Sequence, residues 1–131
     1  MKTLVNFKVL FGIFGGAIAY MLGGWDILLQ TFCVLVVCDF VSGIFKAIHQ
    51  KCLSAKICAD GIMKKVVYFI VITVAVACNR LIPDVGLREM IITFFIANEG
   101  ISIIENASVF INLPKKFTQF FHNLGGDDNE E

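Results

Sequence analysis

Between Ile91 and Ile111 the chain runs IITFFIANEGISIIENASVFI, a stretch of membrane length that carries two carboxylates. A hydrocarbon core takes about 20 mostly apolar residues per helix. Ionisable side chains inside such a span are expensive and by default functional. Glu99 falls near the middle, in the company of Asn98, Ser102, Glu105 and Asn106. On a helix at about 100° per residue, with Asn98 at zero, these five side chains share an arc of about 120°. Ile and Phe fill the opposite side. That stripe has to face protein or water, either as a structural seam between helices or as a pore or assembly surface.

Magnitudes make the segment marginal as a lone span. Its eleven Ile, Phe and Val residues favour insertion by about 0.3–0.6 kcal/mol each, and two central acids oppose it by about 2.5–3.5 kcal/mol each. The segment therefore needs partners, or it re-enters the membrane or lies in the interface.

Three other apolar stretches precede it. The windows are about 9–24, 27–48, 64–82 and 88–111, within a single membrane domain, 1–122, followed by a short acidic tail, 123–131, of disordered composition. Mean hydropathy is +0.79 and 57% of the residues are hydrophobic, against about 45–50% apolar in a soluble domain. The expected fold is an all-α integral membrane protein of about four transmembrane helices. Trp25, Tyr20 and Tyr68 suit membrane interfaces. Lys2 and Lys8, the loop lysines Lys51, Lys56, Lys64 and Lys65, and Lys115 and Lys116 place both termini in the cytoplasm by the positive-inside rule. A cleaved signal peptide ending near Ala17-Ile18-Ala19 is the rival reading of the N-terminus, but its apolar run is short and Gly-rich.

The second segment has its own polar stripe of Asp39, Ser42 and Lys46. Lys46 reads as a snorkelling side chain and as one possible partner for Asp39; Arg80 is a weaker one. On the first segment Gly12, Gly15, Gly16, Ala19 and Gly23 gather on one face, which allows close helix approach within the chain or between copies. Cys33, Cys38, Cys52, Cys58 and Cys78 lack CxxC spacing, so no metal site is expected, and His49 and His122 are isolated. No phosphate loop or nucleophile elbow is present, so neither an enzyme nor a cofactor is expected. Net charge is zero, which gives no reason to expect nucleic acid.

Asp39-Phe40-Val41-Ser42-Gly43 resembles the D-x-x-[ST]-G of the toxin-secretion and phage-lysis holins. Leu53-Ser54, Gly61 and Lys64-Lys65 match that family's basic loop. The run from Asn98 to Asn106 is similar to its N-E-x-x-S-x-x-E-N signature, and Leu113-Pro114-Lys115-Lys116-Phe117 to its closing stretch. Two departures stand out: Cys78-Asn79-Arg80 occupies a place where relatives often carry Asp, and the closing stretch has a single Pro. The resemblance implies a multi-pass protein of the bacterial inner membrane. Such proteins form homo-oligomers that open lesions in the bilayer, releasing an endolysin or assisting toxin export without binding the cargo stably. Two alternatives from other classes are a small proton-coupled multidrug transporter, whose essential Glu would sit in the first span, and a membrane accessory or docking subunit.

Overall fold

The computed structural model describes residues 1–126 and is all-helical there. Helix α1 covers Lys2–Met21, α2 Ile27–His49, α3 Ala55–Leu81, α4 Leu87–Ala107 and α5 Lys115–Leu124. The first three are long and apolar enough to cross a membrane.

Local chemistry sets most of the boundaries. Asp26 caps α2 by accepting from the Leu29 amide at 3.0 Å, and Ser54 caps α3 by accepting from Ile57 at 3.2 Å. These short polar side chains satisfy amides that a helix start leaves orphaned. Helix α3 stops at Leu81, ahead of a 3-10 turn at Pro83–Val85; a proline disfavours helix in the residue before it. The first amide of α4, on Leu87, is bonded by the Asn79 side chain of α3 at 2.8 Å. The α1–α2 connection turns on Gly23 and Gly24, at φ +80° and +109°, values that side chains resist.

Helices α2, α3 and α4 form an up-down-up bundle with α4 against both others, and α5 folds back along α4. The core joins Leu29 and Phe32 of α2, Tyr68, Ile72 and Val76 of α3, and Ile92, Phe95 and Ile96 of α4. Phe32 meets the rings of Tyr68, Phe69 and Phe95 at 5.5–6.2 Å, and Tyr68 stacks on Phe95 at 4.3 Å. Tyr68 is thus a core residue and not an interface anchor. The Phe121 ring of α5 sits against Gly100, where a Cβ would come within 2.1 Å of it. That contact brings α5 onto α4.

Several boundaries differ from the sequence reading. Helix α1 begins at Lys2 and ends at Met21, which leaves Gly23 in the turn, off the small-residue face. Helix α3 begins nine residues before the expected position 64, because Ser54 supplies a cap and the stretch 55–63 carries no proline, its isolated Gly61 being tolerated. Helix α5 is unanticipated: it is amphipathic and too short to register as a span. The expected acidic tail overlaps α5 at Asn123 and Leu124, and 127–131 lie outside the described residues.

Candidate functional site

One buried polar network ties the three bundle helices together. The Lys65 ammonium of α3 lies between two carboxylates, donating to Asp39 Oδ2 of α2 and to Glu99 Oε2 of α4. Glu99 has no exposed surface and Lys65 is 8% exposed. Asn106, about two turns further along α4, donates to Asp39 Oδ1 at 3.2 Å and to Ser42 Oγ at 3.1 Å. Ser42 in turn donates to the Asp39 carbonyl at 3.0 Å. Asn98 donates to the Tyr68 hydroxyl at 2.7 Å, and the Lys65 and Lys64 ammonium groups lie 5.7 and 5.6 Å from the Tyr68 ring centroid. Buried charges persist only when paired and hydrogen-bonded, and here one cation serves two anions. The second oxygen of Glu99, Oε1, has no hydrogen-bond partner among the described residues.

The polar arc of α4 therefore divides. Asn98, Glu99 and Asn106 turn into the bundle, Ser102 lines a cleft beside it, and Glu105 faces outward. Lys46 also lines that cleft and pairs with no carboxylate among the described residues. Asp39 takes Lys65 instead of Lys46. Lys65 was legible as a candidate only by continuing α3 back through Lys64-Lys65, which places it inside a helix and not in a loop.

At the opposite end of the bundle, Arg88 of α4 is 5% exposed. It donates to the Leu22 carbonyl at 2.7 Å, to the Gly24 carbonyl at 3.2 Å, and through both terminal nitrogens to Asp26 at 2.7 and 3.0 Å. A side chain at Gly23 would strike Arg88, its Cβ falling 2.6 Å from Nε. The guanidinium bonded to Asp26 holds that carboxyl down at about 2, against the partial burial that pushes it up. Arg80 binds the α1 end, donating to the Tyr20 carbonyl at 2.7 Å with its guanidinium 4.0 Å from the Tyr20 ring centroid. The basic loop end and the mixed Arg–Asp–Glu end are thus held apart by the length of the bundle.

Gly12, Gly15 and Gly16 meet no atom within 4 Å at their Cβ positions, and α1 contains no buried residue. Among the described residues no group of three His, Cys, Asp or Glu is placed to hold a metal ion.

Membrane-length apolar helices around a polar, ion-paired inner helix define a small helical membrane protein. The comparisons specify it further. The chain belongs to the Bacteriophage holin family, whose model matches residues 16–126. It is 32% identical to a probable holin of Bacillus phage phi105 over 105 residues, covering 79% of this chain and 78% of that one. It is 36% identical to an uncharacterized 14.9 kDa protein in the nagH 3' region of Clostridium perfringens, over 95% of this chain and 97% of that one. An uncharacterized Listeria monocytogenes protein, Lmo0128, is 29% identical over 100% of this chain and 96% of its own. No solved structure matches.

Proposed function

We propose that this chain is a holin: a non-enzymatic protein that oligomerises in the bacterial cytoplasmic membrane and opens a lesion there. The lesion releases a cell-wall hydrolase or assists toxin export. The observation that carries the reading is the internally paired network Asp39–Lys65–Glu99 inside a shell of membrane-length helices. Family membership and the printed name of the phage phi105 relative support it.

The proposed mechanism follows from where the charges are. A protomer whose two buried carboxylates share the Lys65 ammonium can enter the bilayer without presenting them to lipid. Separation of α4 from α2 and α3 would then turn Asp39, Lys65, Glu99 and Asn106 toward a water-filled gap, where their hydration replaces the lost pairing. Helix α1, apolar after Lys8 and held to the bundle only near its C-terminal end, supplies a face for contacts between copies.

In this reading α4 is the fourth crossing, at about 1.5 Å per residue long enough for a bilayer core, and both termini face the cytoplasm with the lysine-rich end. Impermeant thiol reagents added to intact cells should then spare Cys52 and Cys58; rapid labelling before any lesion forms reverses the orientation.

The functional test is membrane potential against time after induction of the chain alone in bacteria. Wild type should depolarise the cells and arrest growth. Glu99→Leu leaves Lys65 paired with Asp39, so it should insert normally and depolarise last. Sustained growth with an intact potential, despite confirmed insertion of the wild-type chain, refutes the lesion reading.

A further inference from the structure

Beside the buried network, a cleft of about 350 Å³ opens between the C-terminal half of α2, the N-terminal half of α3 and the last turns of α4. Its walls mix two chemistries. Phe40, Ile44, Leu53 and Ile57 make one side apolar, while Lys46, Lys64 and Lys65 bring three ammonium groups to it. Only one carboxylate, Asp39, lines the cleft, and both of its oxygens are engaged, by Lys65 and by Asn106. Lys65 is shared further with Glu99. Lys46 and Lys64 form no ion pair among the described residues. The cleft therefore holds two cations without a carboxylate partner among the described residues, Lys64 with its ammonium 5.6 Å from the Tyr68 ring centroid, against an apolar wall, with Ser102 among its lining residues.

We infer that this cleft binds the phosphodiester headgroup of an anionic phospholipid, with Lys46 and Lys64 on the phosphate and the first acyl carbons against Phe40 and Ile44. Three observations favour a lipid as the occupant. The lining pairs cations with hydrocarbon, which matches an anionic amphiphile and not a bare anion. The cleft lies at the ends of helices long and apolar enough to cross a membrane, the depth at which headgroups lie. Basic pockets between such helices take anionic headgroups, each lysine near the surface adding attraction. The site does not depend on lesion formation, and a chain that binds this lipid without permeabilising membranes leaves the inference intact.

The test uses the full chain in dodecylmaltoside, stripped of lipid and given phosphatidylglycerol or phosphatidylcholine at equal concentration, with bound lipid counted by native mass spectrometry. Wild type should retain phosphatidylglycerol in preference to phosphatidylcholine. Lys46→Gln/Lys64→Gln should reduce that retention by about thirtyfold, the loss of two near-surface lysine contacts. Lys2→Gln/Lys8→Gln, which removes the same charge from α1, should not. A second reading needs no substitution. Cys58 lines the cleft whereas Cys78, an exposed thiol at the far end of α3, does not. Phosphatidylglycerol should slow alkylation of Cys58, mapped by peptide, and leave Cys78 unchanged. Equal retention of the two lipids, an equal effect of the α1 lysine pair, or displacement of the lipid by inorganic phosphate at the same concentration would each overturn the inference.

Discussion

Lys65→Met tests whether the three-helix bundle rests on the ionic network. The substitution keeps the unbranched stem and removes the charge. Its consequences fall unequally on the two acids. Asp39, with a side chain 12% exposed, keeps its Asn106 hydrogen bond at 3.2 Å. Glu99, with no exposure, loses its one side-chain partner, and its other oxygen already has none. Breaking a buried pair by removing one partner costs about 3–5 kcal/mol, because an uncompensated charge is left behind. The variant should therefore unfold at clearly lower SDS fraction than wild type in mixed micelles, followed by circular dichroism. Lys65→Met/Glu99→Met removes the stranded carboxylate and should recover most of the loss, since apolar replacement of a whole buried pair is often neutral or better. Lys65→Met with wild-type stability, or a double variant no better than the single, would refute this account of the network.

Gly100→Ala places a methyl where Phe121 ring carbons stand at 2.1–2.5 Å; α5 should detach at a cost of about 1–3 kcal/mol, read as faster chymotrypsin cleavage within α5. Phe121→Ala in the same chain should remove the strain that Gly100→Ala introduces, read as SDS stability no lower than that of Phe121→Ala alone. Gly12→Leu/Gly16→Leu meets no intrachain neighbour, so SDS stability of the monomer should not change while cross-linking ladders in membranes shorten; full ladders would take α1 out of the assembly. Asp26 has its carboxyl held down to about 2 by Arg88, from 3.8. Its stabilising contribution is therefore complete above about pH 4 and fades as pH falls toward 2. With the side chain 47% exposed, the effect is about 1 kcal/mol or less, and Asp26→Asn should flatten that part of the melting-temperature profile.

How far the sequence reached depends on the range of the forces involved. Helices α1 to α4 were legible because apolar run length and the break at Pro83 are local signals. Helical spacing put Asn98, Glu99, Ser102, Glu105 and Asn106 on one arc to face protein or water; it did not foretell that the bundle takes in Asn98, Glu99 and Asn106 and leaves Glu105 outward. Nor did it give the partner of Asp39: Lys46 and Lys65 both carry the needed charge, and the choice depends on which helix faces which. Ser54 as a cap, which moves the start of α3 back to Ala55 and places Lys65 well inside the helix instead of at its expected first turn, was the local clue that would have favoured Lys65. Helix α5 escaped notice because its apolar residues, Phe117, Phe120, Phe121 and Leu124, alternate with polar ones on a ten-residue segment. Its place is set by a tertiary fit, Phe121 on Gly100, that no local pattern encodes.

The arrangement of polarity decides what kind of solvent this fold answers to. The bundle encloses the helix that carries Glu99 and Asn106 and turns Phe7, Phe11, Phe14, Val34, Val37 and Ile70 outward. In water that distribution would expose a large apolar surface while burying charge, and both terms would oppose folding. In lipid the outward side chains gain nothing from association, because hydrocarbon surrounds them in either state. What then holds α4 in place is packing and the network, since an unpaired polar group facing hydrocarbon costs more than any single contact gains. Glu105 obeys the opposite demand. It sits about 9 Å along the helix from Glu99, at 1.5 Å per residue, and faces outward near the lysine-rich end. On the proposed topology, hydration at the interface would satisfy it there. Two carboxylates of one segment thus meet different solvents: Glu99→Gln should alter the strength of the bundle and the timing of any lesion, whereas Glu105→Gln should alter both more weakly.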